Sequence, residues 1–204
     1  MEEQLLLQLP EEANLQLPSP YYVNLYKDFN ERILWIDGEI TPDSLEFVKY
    51  ILNYNREDKG IPTELRKPIK ILFNSPGGDL DVHYTLRSII KLSKTPIIGI
   101  AMGPVFSAAA TIFLSCHKRY ALENSSFLFH KGSGRIGGNF NEMSAFFEDY
   151  QKSINKLIDI IIEDTNYTEE EVVKKIQTDW YVYATEALEK NVIHGIVDNI
   201  EILL

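Results

Sequence analysis

Ser107, His130 and Asp179 are of the types, and in the order, that acyl transfer by a serine alcohol requires. Such an alcohol is a weak nucleophile until a base takes its proton, and the base works best when a carboxylate fixes its orientation. Ser107 closes the stretch Gly103-Pro104-Val105-Phe106-Ser107, which turns the chain so that the serine opens a helix beginning Ala108-Ala109-Ala110. At a helix start the dipole favours negative charge, and the Ala108 N–H can point at a developing oxyanion. A second junction, Asn74-Ser75-Pro76-Gly77-Gly78, ends one strand and starts another helix. Its paired glycines let main-chain N–H groups face an oxyanion with no side chain between.

Four histidines are available as base. His83 falls in a helical stretch, His117 stands beside Lys118 and Arg119 in a loop, and His194 precedes Gly195 near the C-terminus. His130 closes the apolar strand Ser126-Phe127-Leu128-Phe129 just before Gly132, Gly134, Gly137 and Gly138, a place where a side chain meets a cleft. Asp179 precedes the aromatic run Trp180-Tyr181-Val182-Tyr183, a partly buried position for a carboxylate. None of the histidines has metal-ligand spacing to another His, Cys or carboxylate. Taken singly, Ser107 reads as a helix cap, His130 as a structural histidine, Asp179 as a turn cap and Pro-Gly-Gly as a turn. Their order and spacing change that reading.

The elements that must hold these residues alternate. Ile33-Leu34-Trp35-Ile36, Ile69–Phe73, Pro96–Ala101 and Ser126–Phe129 read as strands. Helices are expected from Thr41-Pro42-Asp43 onward, with Leu45, Val48, Ile51 and Leu52 as the apolar face, and then over 81–93, 107–116, 140–164, from Thr168, and over 185–191. Residues 55–68 read as a loop, and Ile196-Val197 as a last strand. Short connections between alternating strands and helices predict an α/β fold with largely parallel pairing. Residues 1–30 are expected as an N-terminal arm, its start extended around the repeated Leu-Gln-Leu-Pro, and 31–204 as a single domain.

Composition sets the surroundings. A net charge of −10 argues against binding nucleic acid or an anionic membrane surface. The single cysteine, Cys116, excludes an intrachain disulfide and lies in an apolar run, where it reads as a buried small hydrophobe. No stretch approaches the 18 to 20 or so apolar residues that cross a bilayer. The acidic N-terminus is unlike a secretory signal, so a cytoplasmic location is expected.

In sequence order, Asn74-Ser75-Pro76-Gly77-Gly78, Gly103-x-x-x-Ser107, Arg119-Tyr120-Ala121-Leu122-x-Asn124-Ser125 leading to His130, and Asp179 with Ala184 and Glu186-Ala187 resemble the Clp protease proteolytic subunit over roughly residues 30–200. The 49 residues from His130 to Asp179 match that family's spacing, and the 23 from Ser107 to His130 are about two fewer than usual. The resemblance implies a Clp/crotonase-type spiral of βαβ units with a long protruding helix. It implies Ser107 as nucleophile, His130 as base, Asp179 as third member, and the Gly78 and Ala108 amides as oxyanion hole. An extended substrate would pair along Gly77, Gly78, Asp79 and Leu80 on one side and Gly132 and Gly134 on the other. The family builds barrels of two stacked heptameric rings with the sites inside, joined through the long helix and fed with polypeptide by a hexameric AAA+ unfoldase. This chain has no Gly-x-x-x-x-Gly-Lys loop, so no cofactor is expected and ATP use would belong to that partner.

The departures from the family's usual sequence lie around the triad and on outer surfaces. Lys70 and Leu72 replace tyrosines that help dock the ATPase, and Thr178 replaces an arginine tied to ring contact. Lys131-Gly132 replaces Gln-Pro, and Phe106 fills a position normally small. Three alternatives share parts of this pattern. An inert ring subunit would keep the fold without the chemistry. A crotonase-type acyl-CoA enzyme would need a carboxylate base in place of Ser107. A Ser-Lys signal-peptide peptidase would normally carry a membrane anchor.

Overall fold

A computed structural model describes residues 19–132 and 136–203. Seven strands form one sheet: β1 (Ile33–Ile40), β2 (Ile69–Gly78), β3 (Ile97–Phe106), β4 (Lys118–Ala121), β5 (Ser126–Phe129), β6 (Trp180–Tyr183) and β7 (Gly195–Ile196). Along β1-β2-β3-β4-β7 every pairing is parallel. Parallel strands covered on both faces need continuous apolar runs, and β2 supplies one in Ile69, Ile71, Leu72 and Phe73, all buried.

Among the described residues the α-helices are α1 (Pro20–Asn30), α2 (Glu46–Glu57), α3 (Leu80–Leu92), α4 (Ala108–Leu114), α5 (Phe140–Asp164), α6 (Glu169–Lys175) and α7 (Ala184–Glu189). All seven residues of α4 are buried. Its opening run of three alanines suits a helix enclosed on all sides, and α3 and α5 both pack against it. The long helix lies where the sequence placed it: Asn139 caps it with a reciprocal Glu142 bond. Arg87 pairs with Asp164 at 2.7 Å and holds its far end. Only Ile154, Ile160 and Ile161 of α5 are buried, while Phe140 and Phe147 are 78% and 62% exposed.

The sheet forks at β3. Its first half, Ile98–Ala101, pairs with β4; its last residues, Pro104–Phe106, pair in parallel with β5, which in turn pairs antiparallel with β6. Arg119 ties the base of the fork together. Its buried guanidinium donates to the carbonyls of Leu114, Cys116, Asp164, Asn191 and Val192 at 2.8–3.4 Å. Cys116 is buried as expected, and burial pushes its thiol up to about 12.

Several local expectations change. Residues 20–30 of the expected arm are helical: Phe29 packs against Tyr50 with ring centroids 4.6 Å apart, and Trp35 Nε1 donates to Asp28 at 3.1 Å. The extended start of that arm lies outside the described residues. Leu45 and Leu52 are exposed, and the inward residues of the α2 region include Ile51 and Tyr54. The segment 55–68 begins inside α2 and carries a 3-10 turn at Thr63–Leu65. β2 and β3 run on through the glycine- and proline-bearing stretches that the sequence suggested were turns.

Candidate active site

β3 carries the chain straight to Ser107, where it turns sharply at φ 54 and ψ −123. A non-glycine residue at positive φ costs on the order of 1–2 kcal/mol and persists only where its surroundings hold it. Here the Ser107 N–H donates to the Leu128 carbonyl at 2.8 Å, and the Ser107 carbonyl accepts from Ala110 N–H at 3.0 Å. The Ser107 side chain makes no capping bond to α4. Its hydroxyl therefore points away from the helix, as at a nucleophile elbow, and bonds His130 Nε2 at 2.7 Å.

His130 and Asp179 meet because of strand register. β5 and β6 are antiparallel with Phe129 opposite Trp180, so the next position of the ladder sets His130 beside Asp179. Their closest approach, Nδ1 to Oδ1, is 3.7 Å. That is an ion-pair distance rather than a hydrogen bond, and the Asp179 side chain is 63% exposed. A second bridge, Lys131 Nζ to Gln177 Oε1 at 2.7 Å, spans the same gap.

Ladder geometry sets the direction of the Gly78 amide. In a parallel pair, one residue bonds the two neighbours of its partner. Ile40 faces Gly78 and its carbonyl accepts from Asp79 N–H at 2.9 Å, so the N–H of Gly78 faces away from β1, toward β3. Ala108 begins α4, and its N–H has no intrahelical acceptor. Gly77 lies directly under Ser107: a Cβ there would stand 2.8 Å from Ser107 Cβ and 3.0 Å from Ala108 N.

Two of the other histidines support the backbone. His117 Nδ1 accepts from Ile97 N–H at 3.0 Å, and His194 Nδ1 from Arg119 N–H at 2.9 Å. Gly78, Leu80, Ser107, His130 and Gly132 share one open cleft. Gly134 lies outside the described residues. Asp79 does not fit the expected substrate edge: its N–H goes to Ile40, its carbonyl accepts from His83 N–H, and its carboxylate caps α3 at Val82. The Gly77 N–H is likewise taken, by Ser75 Oγ at 3.1 Å.

Comparison with known proteins shows the family. The chain is 31% identical over 178 residues to ATP-dependent Clp protease proteolytic subunit 2 of Treponema denticola, covering 86% of each. It is 29% identical over 174 residues to the protein of that name in Treponema pallidum, covering 84% of this chain and 85% of the other. The family model described as Clp protease matches residues 20–201. The chain belongs to the Clp protease family.

Its fold is that of the family as well. A ClpP1 point mutant from Listeria monocytogenes superposes with a TM-score of 0.76 at 24% identity, covering 89% of this chain and 99% of that one. Around this Clp-family site the structure adds residues that sequence reasoning missed. A pocket behind Ser107 is lined by His83, Tyr84, Thr111, Phe129 and Leu157. Tyr150 reaches the rim and donates to the Gly132 carbonyl at 3.2 Å. The only sequence signal for His83 was its place one turn into the helix after Gly78. The bulky Phe106 packs edge-on against Tyr181, ring centroids 5.7 Å apart.

Proposed function

We propose that this chain is a serine endopeptidase that cleaves polypeptide through an acyl-enzyme. Ser107 Oγ attacks the scissile carbonyl while His130 Nε2 takes its proton, and His130 then protonates the leaving amine. Asp179 orients His130, and the N–H groups of Gly78 and Ala108 stabilise the oxyanion. The substrate lies extended in the cleft, with Gly78 and Leu80 on one side and Gly132 on the other. The observation that carries the reading is the 2.7 Å contact between His130 Nε2 and a serine hydroxyl held out by a strained turn.

Assembly belongs to the same reading. The exposed Phe140 and Phe147 on the outer half of α5 suit a contact between copies, which would set the sites inside a barrel of two heptameric rings. An AAA+ unfoldase would feed that barrel and perform any ATP hydrolysis, while this chain uses no cofactor.

A fluorophosphonate probe tests the chemistry. Wild type is expected to take up one probe per subunit at Ser107, and Ser107→Ala none with the same circular dichroism spectrum. Label persisting on the alanine variant refutes the assignment. A second reading, an inert ring subunit, is favoured by the 3.7 Å separation of His130 from an exposed Asp179. Hydrolysis of short fluorogenic peptides by the purified protein, or its absence, separates the two.

A further inference from the structure

The chain leaves the sheet just before His130. β5 ends at Phe129, and its ladder with β6 ends where Phe129 faces Trp180. Beyond that point no main-chain hydrogen bond holds His130, Lys131 or Gly132 among the described residues. All three line the cleft at Ser107. Main-chain N–H and C=O groups left unpaired along such an edge can take an extended peptide as a further strand. They do so well only when the edge is already in place, because ordering it during binding subtracts from affinity. Gly132 stands at φ 79, and a glycine has no backbone preference strong enough to fix that turn unaided.

Apart from the contacts of the His130 ring, two side-chain bonds hold the segment among the described residues. Lys131 Nζ donates to Gln177 Oε1 at 2.7 Å, which joins two flexible side chains. The Tyr150 hydroxyl donates to the Gly132 carbonyl at 3.2 Å, which grips the main chain itself. Tyr150 is well placed to be the firmer of the two. Its ring packs against the core and lies parallel to Phe146, centroids 6.1 Å apart, on the long helix α5. Phe146, Asp149 and Ser153 of α5 also line the cleft, yet none of them bonds the segment among the described residues. A carbonyl oxygen has two lone pairs, so the bond from Tyr150 leaves one of them, and the Gly132 N–H, for a substrate.

We propose that Tyr150 is a positioning residue whose hydroxyl holds the Gly132 edge ready for the substrate main chain, and so favours long peptides over minimal substrates. The benefit falls only on a substrate with enough main chain to lie along the edge. This role rests on the reading of Ser107 as the acylated nucleophile.

Two substrates test it: a long internally quenched peptide, and an activated ester of one acetylated amino acid, too short to lie along an edge. The ratio of their kcat/KM values cancels any general change in reactivity. Tyr150→Phe keeps the ring and removes only the hydroxyl. It should lower the long-to-short ratio by about three- to tenfold, the factor that one hydrogen bond is worth. The loss should lie in KM for the long peptide, because the edge is held alike for ground state and transition state. An unchanged ratio overturns the role of Tyr150, and so does a loss confined to kcat, which would put the hydroxyl in the chemistry instead. Fluorophosphonate labelling of wild type separates the two levels. Label at Ser107 with hydrolysis and an unchanged ratio overturns only the role of Tyr150. Absence of label, or of peptide hydrolysis, overturns the peptidase reading and this role with it.

Discussion

Replacing Gly77 by alanine puts a methyl group under Ser107, and the structure sets the size of the effect. The added Cβ would stand 2.6 Å from the Phe106 carbonyl oxygen and 2.8 Å from Ser107 Cβ. Carbon atoms pack best at about 3.5–4.0 Å, so Ser107 and Gly77 must separate by roughly 0.7 Å. The Ser107 backbone is held on its far side by the Leu128 carbonyl, so the side chain and its turn take up the strain. The Ser107–His130 contact is 2.7 Å, and proton transfer needs no more than about 3.2 Å, which leaves about 0.5 Å of slack. The displacement exceeds it. Misplacement on the scale of 1 Å costs about 100-fold, and a fluorophosphonate labelling rate, followed by intact mass, should fall by about that factor. Gly77 also has φ 94, and a side chain there adds about 1–2 kcal/mol of backbone strain. For a domain of this size, melting by circular dichroism should drop by roughly 2–8 °C. Labelling within threefold of wild type at an unchanged melting temperature would refute the claim that Gly77 is the floor of the site.

Asp179→Asn should lower peptide hydrolysis by less than about tenfold in the isolated subunit, because an exposed pair at 3.7 Å contributes about 0–1 kcal/mol. A loss of 1,000-fold in steady-state kinetics would show that the carboxylate closes on His130 during turnover. Arg119→Met strips partners from five carbonyls and should destabilise the fold by about 4–5 kcal/mol in urea titration, with Arg119→Lys recovering only part because an ammonium has three donors. A loss under about 1 kcal/mol would contradict the role given to Arg119. Stability should also rise with pH between about 4 and 6.5, because His83 titrates near 4 when folded and near 6.5 when unfolded, so the unfolded chain holds the proton more tightly in that window. The contribution is at most roughly 3 kcal/mol, and it is lost as pH falls. His83→Leu should flatten the urea-derived slope there, and an unaltered slope would show that another group carries it.

What the sequence made legible follows from periodicity and punctuation. The long amphipathic pattern gave α5, and Thr168 with Glu171 marked the start of α6 through a reciprocal cap that the structure contains. Ser107 and His130 were readable because each stands at the end of an apolar strand, and the two meet. The glycine- and proline-bearing ends of β2 and β3 read as turns because those residues usually break strands. Here register shifts at Phe73/Ser75 and Asp37/Glu39 absorb them, and pairing resumes beyond. β4 was hidden in a polar stretch, Lys118-Arg119, whose arginine turns inward to a cage of carbonyls that no local pattern announces. His83 was equally opaque: helical phase puts it on a face, but only the packing of α3 against α4 and α5 makes that face a pocket beside Ser107. Asp79 was expected along the substrate edge with Gly78, whereas its carboxylate belongs to the helix that begins after it.

The pairing of β5 with β6 has a consequence for how the molecule comes into being. Ser107 and Gly77 are joined by neighbouring parallel strands, and His130 reaches Ser107 across a separation of 23 residues. Asp179 arrives only when Trp180–Tyr183 docks on Ser126–Phe129, which closes a loop holding all of α5 and α6. Loop closure must precede the contacts that reward it, so pairings of high sequence separation form late. A slip of one residue along this ladder would turn every side chain of the strand to the other face and carry Asp179 away from the imidazole. Approach of Asp179 to His130 therefore reports that the last strand has found its register, and in a half-folded subunit Ser107 and His130 can meet without it.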